Sequence, residues 1–375
     1  MDVGTGYQAA KGSWTPAAGG CRGVEHGLQN PGATLFQTAG ATLYIVIAVP
    51  LHEKALIARI RRSAGRRLGV VTGIGDDCAV LRIPPAHEAL VTTDFTIEGI
   101  HFRREWHPPG VVGRRCLARG LSDIAAMGGK PVAAFLSLGL PRRLPQAWVD
   151  GLMKGLLGMA EEFGIALAGG DIAESPGGVL ADIVVVGSVP KGGAVLRSGA
   201  KPGDRIYVTG ELGGAAAVLA ELFAGRKVAP RNDSLPFAPV PRIRVGQFLG
   251  ERRLASAMID LSDGLSTDLA HLCEESGVGA KIVEDAIPRA RIGRKQTPVQ
   301  LRHALHGGED YELLFTATRE KRVPSRILGV PVTRIGEVTR QKRVVLVSEA
   351  KGRFDLRPQG WEHFAKSRRP RQATS

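Results

Sequence analysis

Apolar residues along the chain gather in short blocks, and the spacing within each block predicts an element. Residues 51–60 place apolar side chains at 56, 57 and 60 among charged ones, which predicts an amphipathic helix where the folded body begins. Residues 78–83 and 89–93 are dense in strand formers and flank Pro84-Pro85, so two strands joined by a turn are predicted. A helix is predicted over 111–127, ending at Gly128-Gly129, then a strand over 133–140 and a helix over 148–163. A short strand at 165–168 is expected to run into Gly169-Gly170-Asp171, followed by a strand at 179–189.

The second half opens at RSGAKPGD, residues 197–204, and repeats the alternation. A strand at 205–209 leads through a glycine turn to a helix at 215–223, and the Pro-rich stretch 230–241 reads as a surface connection. A short strand at 258–261 feeds Ser262-Asp263-Gly264 and a helix over 265–276. This order predicts two domains of α/β or α+β class. Residues 1–50 lack such a pattern, and a disordered N-terminal extension is expected there. The apolar run 41–51 is too short to span a bilayer and too far in for a signal peptide.

Composition narrows the function. A length of 375 residues, 43% of them hydrophobic and 23% charged, suits two soluble domains with their own cores. The net charge of +14 admits nucleic acid, a membrane surface or small anions as partners. Its arginines are scattered, clustering only at 59–67 and near the C-terminus, and aromatics are 5%, so a stacking platform for single strands is excluded. A general basic bias explains the charge, and neither nucleic acid nor a membrane is expected as a partner. The four cysteines form no CxxC pair, which suggests neither zinc nor a disulfide framework and fits a reducing cytoplasm.

Seven aspartates stand out in this basic chain. They are Asp76 and Asp77 in GIGDD, Asp94 in VTTDF, Asp123 in LSDIAAMGG, Asp171 in AGGD, and Asp260 and Asp263 in MIDLSDG. Each lies near the end of an apolar run or beside Gly or Ser, where a turn or cap residue is also common. Two carboxylates about 4 Å apart repel by roughly 4 kcal/mol at an effective dielectric of 20. If the seven converge, a hard divalent cation must compensate them, and phosphoryl transfer with more than one metal ion is the chemistry such a cluster suggests. Familiar phosphate loops are absent: Gly129-Lys130 is followed by Pro131, and Gly73-x-Gly75 lacks a third glycine. The glycine turn at 209–214 reads equally as an anion-binding helix start or a simple turn.

In order, GIGDDCAVL (73–81), VTTDFTIEGIHF (91–102), LSDIAAMGGKP (121–131), AGGD, RSGAKPGD, IDLSDGLSTDL, GGEDYELLF (307–315) and GWEHF (360–364) resemble the motifs of thiamine-monophosphate kinases. These belong to the superfamily that includes aminoimidazole ribonucleotide synthetase. The resemblance implies a two-domain PurM-like architecture, α/β plus α+β. Its N-terminal metal- and ATP-binding domain would span 51–193 and its C-terminal domain 194–366, before a basic tail at 367–375. It implies a homodimer joined through N-terminal sheets. The implied reaction is direct in-line transfer from ATP to thiamine monophosphate, giving thiamine diphosphate, with several Mg²⁺ ions.

Carried over by position, the metal ligands fall on Asp77, Thr92, Thr93, Asp94, Asp123, Asp171, Asp260 and Asp263, with Asp263 also a possible catalytic group. Nucleotide contacts fall on Gly170, Arg197 and Ser262, and substrate contacts on His101, Glu309 and Trp361. Three positions depart from the family pattern: Gly120 stands where Asn is frequent, and Ile172-Ala173 where Thr-Thr is frequent. The rival readings are another ATP-using enzyme of the superfamily, of the selenophosphate or aminoimidazole ribonucleotide synthetase kind, an inactive homologue, and a basic nucleic-acid-binding protein.

Overall fold

A computed structural model describes residues 51–226 and 239–361, apart from Arg66 and Arg294, and two short N-terminal strands. The chain divides into two compact units, Met1–Val49 and Pro50–Ser375. In the first, Leu35–Phe36 pairs antiparallel with Tyr44–Ile45. The rest of the expected N-terminal extension, most of the Pro-rich connection and the basic tail lie outside the described residues.

The body opens with α1 (Glu53–Ser63) and a four-stranded sheet. Its strands are β1 (His87–Ile97), β2 (Lys130–Pro141), β3 (Ala166–Ser175) and β4 (Leu180–Pro190), in the order β1-β4-β2-β3. Only β2 and β3 are parallel. Helices α2 (Pro109–Ala126) and α3 (Gln146–Glu162) cover one face. Alternation decides which side chains they meet: Ala181, Ile183 and Val185 of β4 are buried, while their neighbours are half-exposed. Gly120 of α2 lies directly on β4, where a Cβ would come 2.6 Å from Val185 Cγ2. An asparagine there would require Val185 to move, which gives a steric reason for this departure from the family pattern.

The predicted strand at 165–168 is in fact longer. β3 continues through Gly169-Gly170-Asp171 because it pairs with β2, placing Gly170 opposite Leu136 and Asp171 opposite Ser137. Gly170 has φ +146°, and a side chain there would run into the Leu136 backbone. The paired glycines that read as a break are what let the strand pass this close.

The second half holds β5 (Arg205–Thr209), α4 (Gly214–Phe223), α5 (Ile243–Glu251), β6 (Ala257–Asp260), α6 (Leu265–Ser276) and β7 (Gly279–Val283). It continues with α7 (Leu301–His306), β8 (Leu313–Ala317), β9 (Val330–Thr339), β10 (Val344–Ser348) and β11 (Gly352–Asp355). The sheet runs β6-β8-β5-β9-β7-β10-β11, with the short strand Arg326–Ile327 added to β9. Only β7 and β10 are parallel, so this half is α+β.

Among the described residues two large cores, and a small third one around Val132, Ala133 and Ala168, hold the body together. Ile206 and Val208 of β5 enter a core confined to the second half, together with Leu265, Leu269 and Leu346. Tyr207, between them, points the other way. It stacks on Phe315 at 5.3 Å and joins the core that runs under α2 and α3. That shared core, and Gly246 of α5 against the backbone of Ala125, fix the two halves to each other.

Helices α2 and α3 touch backbone to backbone, since a Cβ at Gly113 would meet the Leu152 carbonyl and one at Gly155 the Gly110 carbonyl. Gly158, on the same helix as Gly155, faces open space. Gly113→Ala is therefore expected to destabilise by about 1–3 kcal/mol through overpacking. Gly158→Ala should stabilise by roughly 0.5–1 kcal/mol. Urea denaturation of the two variants reads both signs.

Candidate active site

Between the halves lies a cavity of about 480 Å³. Strand alternation puts Thr92 and Asp94 of β1 on the face that α2 covers, and Asp94 reaches the cavity. Asp123 comes from the last turns of α2, and the Thr92 hydroxyl donates to its Oδ2. Asp260 ends β6, fully buried, and accepts a hydrogen bond from Ser122 at 2.7 Å. Ser262 and Asp263 line the same wall from the turn before α6. Asp268, in the first turn of α6, accepts the backbone N–H groups of Asp263 (3.1 Å) and Gly264 (2.9 Å), which holds that turn in place. His271 adds a nitrogen, so Asp263, Asp268 and His271 offer ligand atoms within 4.8 Å of one another.

The charges are crowded. Burial, then Asp123, pushes the Asp94 carboxyl up to about 7. Burial, then Asp123, also pushes Asp260 up to about 7. Asp123 itself is raised by burial, although Thr92 and Arg197 oppose the shift. Asp268 rises to about 8, by burial and then Asp260 and Asp263. Asp94, Asp123, Asp260 and Asp263 line one cavity, and carboxylate oxygens are the donors a hard divalent cation prefers, so the residue types fit Mg²⁺.

A second group faces the carboxylates. Arg115 and Arg119 sit one turn apart on α2, and both hold Glu309, Arg119 Nη1 lying 3.1 Å from Glu309 Oε1. Burial alone would raise Glu309, but Arg115 and Arg119 outweigh it and keep the carboxyl below its ordinary value. His101 lies in the same cavity wall, its Nδ1 receiving the Ile97 N–H at 3.0 Å. Glu309 and Tyr311 have φ of +71° and +51°, a left-handed backbone that costs non-glycine residues about 1–3 kcal/mol each. Their N–H groups donate to Ser262 and Leu261 carbonyls at 2.8 and 2.9 Å, tying this loop to the Asp263 turn. Between them, Asp310 accepts the Gly213 N–H at the start of α4. The glycine turn at 209–214 is thus occupied by the chain's own Asp310 carboxyl.

The remaining wall is apolar. Trp106 and Phe223 meet edge to face at 4.9 Å, and the Arg103 guanidinium lies 4.6 Å over the Trp106 ring. Trp361 closes this side, its backbone N–H donating to the Asp263 carbonyl at 3.2 Å.

Asp94, Asp123, Asp260, Asp263, Ser262, His101, Glu309 and Trp361 therefore meet in one cavity. Other expected residues lie elsewhere. Asp77 is exposed in a bend and donates its N–H to Asp76. Asp171 is exposed on β3, and Gly170 is packed against β2. Thr93 points to the opposite sheet face and donates to Asp182 at 2.7 Å. Arg197 is exposed, yet its charge lowers Asp123 and Asp260. Sequence reasoning missed Arg115, Arg119, Trp106 and Phe223, which line the cavity from two helices and a loop without motif character.

Two mixed α–β halves enclosing a carboxylate-lined cleft define an AIR-synthase-related protein. Residues 75–189 match the AIR synthase related protein N-terminal domain, and residues 201–349 its C-terminal domain. The thiamine-monophosphate kinase of Salmonella typhimurium is 41% identical over 299 residues, 76% of this chain and 90% of that protein. The crystal structure of the Stenotrophomonas maltophilia thiamine-monophosphate kinase is 35% identical, covers 79% of this chain and 96% of its own, and has a TM-score of 0.69. AaThiL, solved complexed with AMPPCP and TMP, is 30% identical, with coverage of 83% and 97% and a TM-score of 0.65. The chain belongs to the thiamine-monophosphate kinase family.

The raised pKa values fix a sign. Asp94 and Asp260 titrate near 7 in the folded chain, against an ordinary 3.8, so folding favours their protonated forms. Their stabilisation is complete below the ordinary value and is lost as pH rises through about 7. Without metal, these two groups should make the melting temperature fall between about pH 4 and 7, and Mg²⁺ should flatten that fall. A metal-free melting temperature that climbs over this interval would contradict the carboxylate crowding.

Proposed function

We propose that the chain transfers the γ-phosphoryl group of ATP to thiamine monophosphate, forming thiamine diphosphate and ADP. The observation that carries this reading is the meeting of four aspartates with His101, Glu309 and Trp361 in one cavity of a chain 41% identical to a thiamine-monophosphate kinase. The complex of AaThiL with AMPPCP and TMP supports ATP as co-substrate and thiamine monophosphate as acceptor.

The acceptor oxygen belongs to a phosphate and is already nucleophilic at neutral pH, so no side chain has to remove a proton from it. The chain's task is to place two polyanions in line and offset their repulsion. Asp94, Asp123, Asp260 and Asp263 would hold several Mg²⁺ ions, with Thr92 fixing the Asp123 carboxylate. Bound Mg²⁺ supplies charge neutralisation on the transferring group. Asp77, Thr93 and Asp171 stay in the proposed ligand set, although they lie outside the cavity in this conformation. Arg197 and Ser262 face the nucleotide, with Gly170 giving room for backbone approach. Glu309, His101 and Trp361 receive the ring portion of the acceptor.

The proposal extends to domains at 51–193 and 194–366, to a homodimer and to a cytoplasmic setting. β1 is an edge strand with Val91 and Phe95 exposed on its outer face, an apolar surface suited to a second sheet. Cys116 and Cys273 are free buried thiols, which suits a reducing compartment. Among the described residues no helix is long and apolar enough to cross a membrane.

Incubation with ATP, Mg²⁺ and thiamine monophosphate, read by chromatography, is expected to yield thiamine diphosphate. Asp94→Asn should lower turnover by about 10²–10³-fold, the scale for losing a group that stabilises transferring charge. Folded wild-type protein that makes no diphosphate would overturn the assignment.

A further inference from the structure

We infer that Arg119 is a positioning residue that keeps the Glu309 carboxylate in register with the Asp94 carboxylate. The inference rests on the proposed reaction, in which Glu309 meets the acceptor and Asp94 the metal. Arg119 is largely buried, with a side-chain exposure of 15%, on a helix whose backbone is locked against α3. Its guanidinium has two working edges. Nη1 donates to Glu309 Oε1 at 3.1 Å. Nε is buried, has no hydrogen-bond partner among the described residues, and lies 3.7 Å from Asp94 Oδ1, where it acts by charge.

Those two carboxylates come from different halves. Asp94 stands on β1 of the first sheet, and Glu309 on a left-handed loop of the second half. One planar cation between them sets their separation, because a guanidinium fork is rigid where an ammonium is a movable point charge. Arg115 provides the contrast. It lies one turn earlier on the same helix and its ion pair is with Glu309. Loss of Arg115 leaves Glu309 held by Arg119, whereas loss of Arg119 releases both carboxylates from a common reference. Misplacing reacting groups by about 1 Å costs on the order of 10²-fold in rate. The two arginines should therefore fail differently.

The test compares steady-state kinetics of wild type, Arg115→Gln, Arg119→Gln and Arg119→Lys, each also paired with Glu309→Gln. Arg115→Gln is expected to raise the KM for thiamine monophosphate and leave kcat within about threefold, with no further effect when Glu309 is already Gln. Arg119→Gln should raise that KM and also lower kcat by about 10²-fold, and the kcat loss should persist in the Glu309→Gln background. Arg119→Lys retains the charge, and a wild-type-like melting temperature for each variant excludes a folding defect. It is expected to stay low in kcat because a single amine cannot serve both edges. The inference is overturned if Arg119→Gln behaves like Arg115→Gln, if Arg119→Lys restores full kcat, or if the KM for ATP alone changes. An inactive wild type would instead overturn the underlying reaction, and this inference with it.

Discussion

Repulsion among buried carboxylates is the constraint on which the structure turns. Asp94, Asp123 and Asp260 come from a strand, a helix and a second strand in the other half; burial raises all three, and Asp123 makes both Asp94 and Asp260 harder to ionise. Nothing local favours such an arrangement. It persists because each carrier is fixed by its neighbours: β1 by pairing with β4 and by the core under α2, α2 by its glycine contacts with α3 and its buried apolar face, and β6 by the shared core. Hydrophobic burial thus supplies the free energy that holds like charges together, and a divalent cation is the partner that converts the crowding into binding.

Helix α2 is the common element. One face of it carries Arg115, Arg119, Ser122 and Asp123, spaced so that successive turns reach Glu309, Asp94 and Asp260. Its other face enters the core. The acceptor-side and metal-side groups are therefore displaced together by any shift of α2. The loop carrying Glu309, Asp310 and Tyr311 is fixed by different means: ion pairs, hydrogen bonds to the Asp263 turn, and Asp310 capping α4. These contacts offset the strain of its left-handed backbone.

Much of this was legible in the sequence, and the rest was hidden for definite reasons. Asp94, Asp123, Asp260 and Asp263 each stand near the end of an apolar run or beside Ser, Thr or Gly, a local setting that can be read directly. Arg115 and Arg119 could not be read, since on an amphipathic helix they resemble ordinary surface charges and Glu309 lies 194 and 190 positions away. The capping of Gly213 by Asp310 spans 97 positions and was equally hidden. β3 was read short because two glycines look like a break, whereas pairing with β2 carries the strand through them. The opposed faces of β5 were invisible because both sides are apolar, one entering each core.

The central claim is that the crowded carboxylates form the cation seat. Calorimetric titration of Mg²⁺ at about pH 6.5, in buffers of different ionisation enthalpy, tests it directly. Because Asp94 and Asp260 titrate near 7, cation binding should expel protons, and the measured heat should change with the buffer. Asp260→Asn should bind Mg²⁺ more weakly and release fewer protons. A heat independent of buffer, or an Asp260→Asn variant indistinguishable from wild type, would contradict the account.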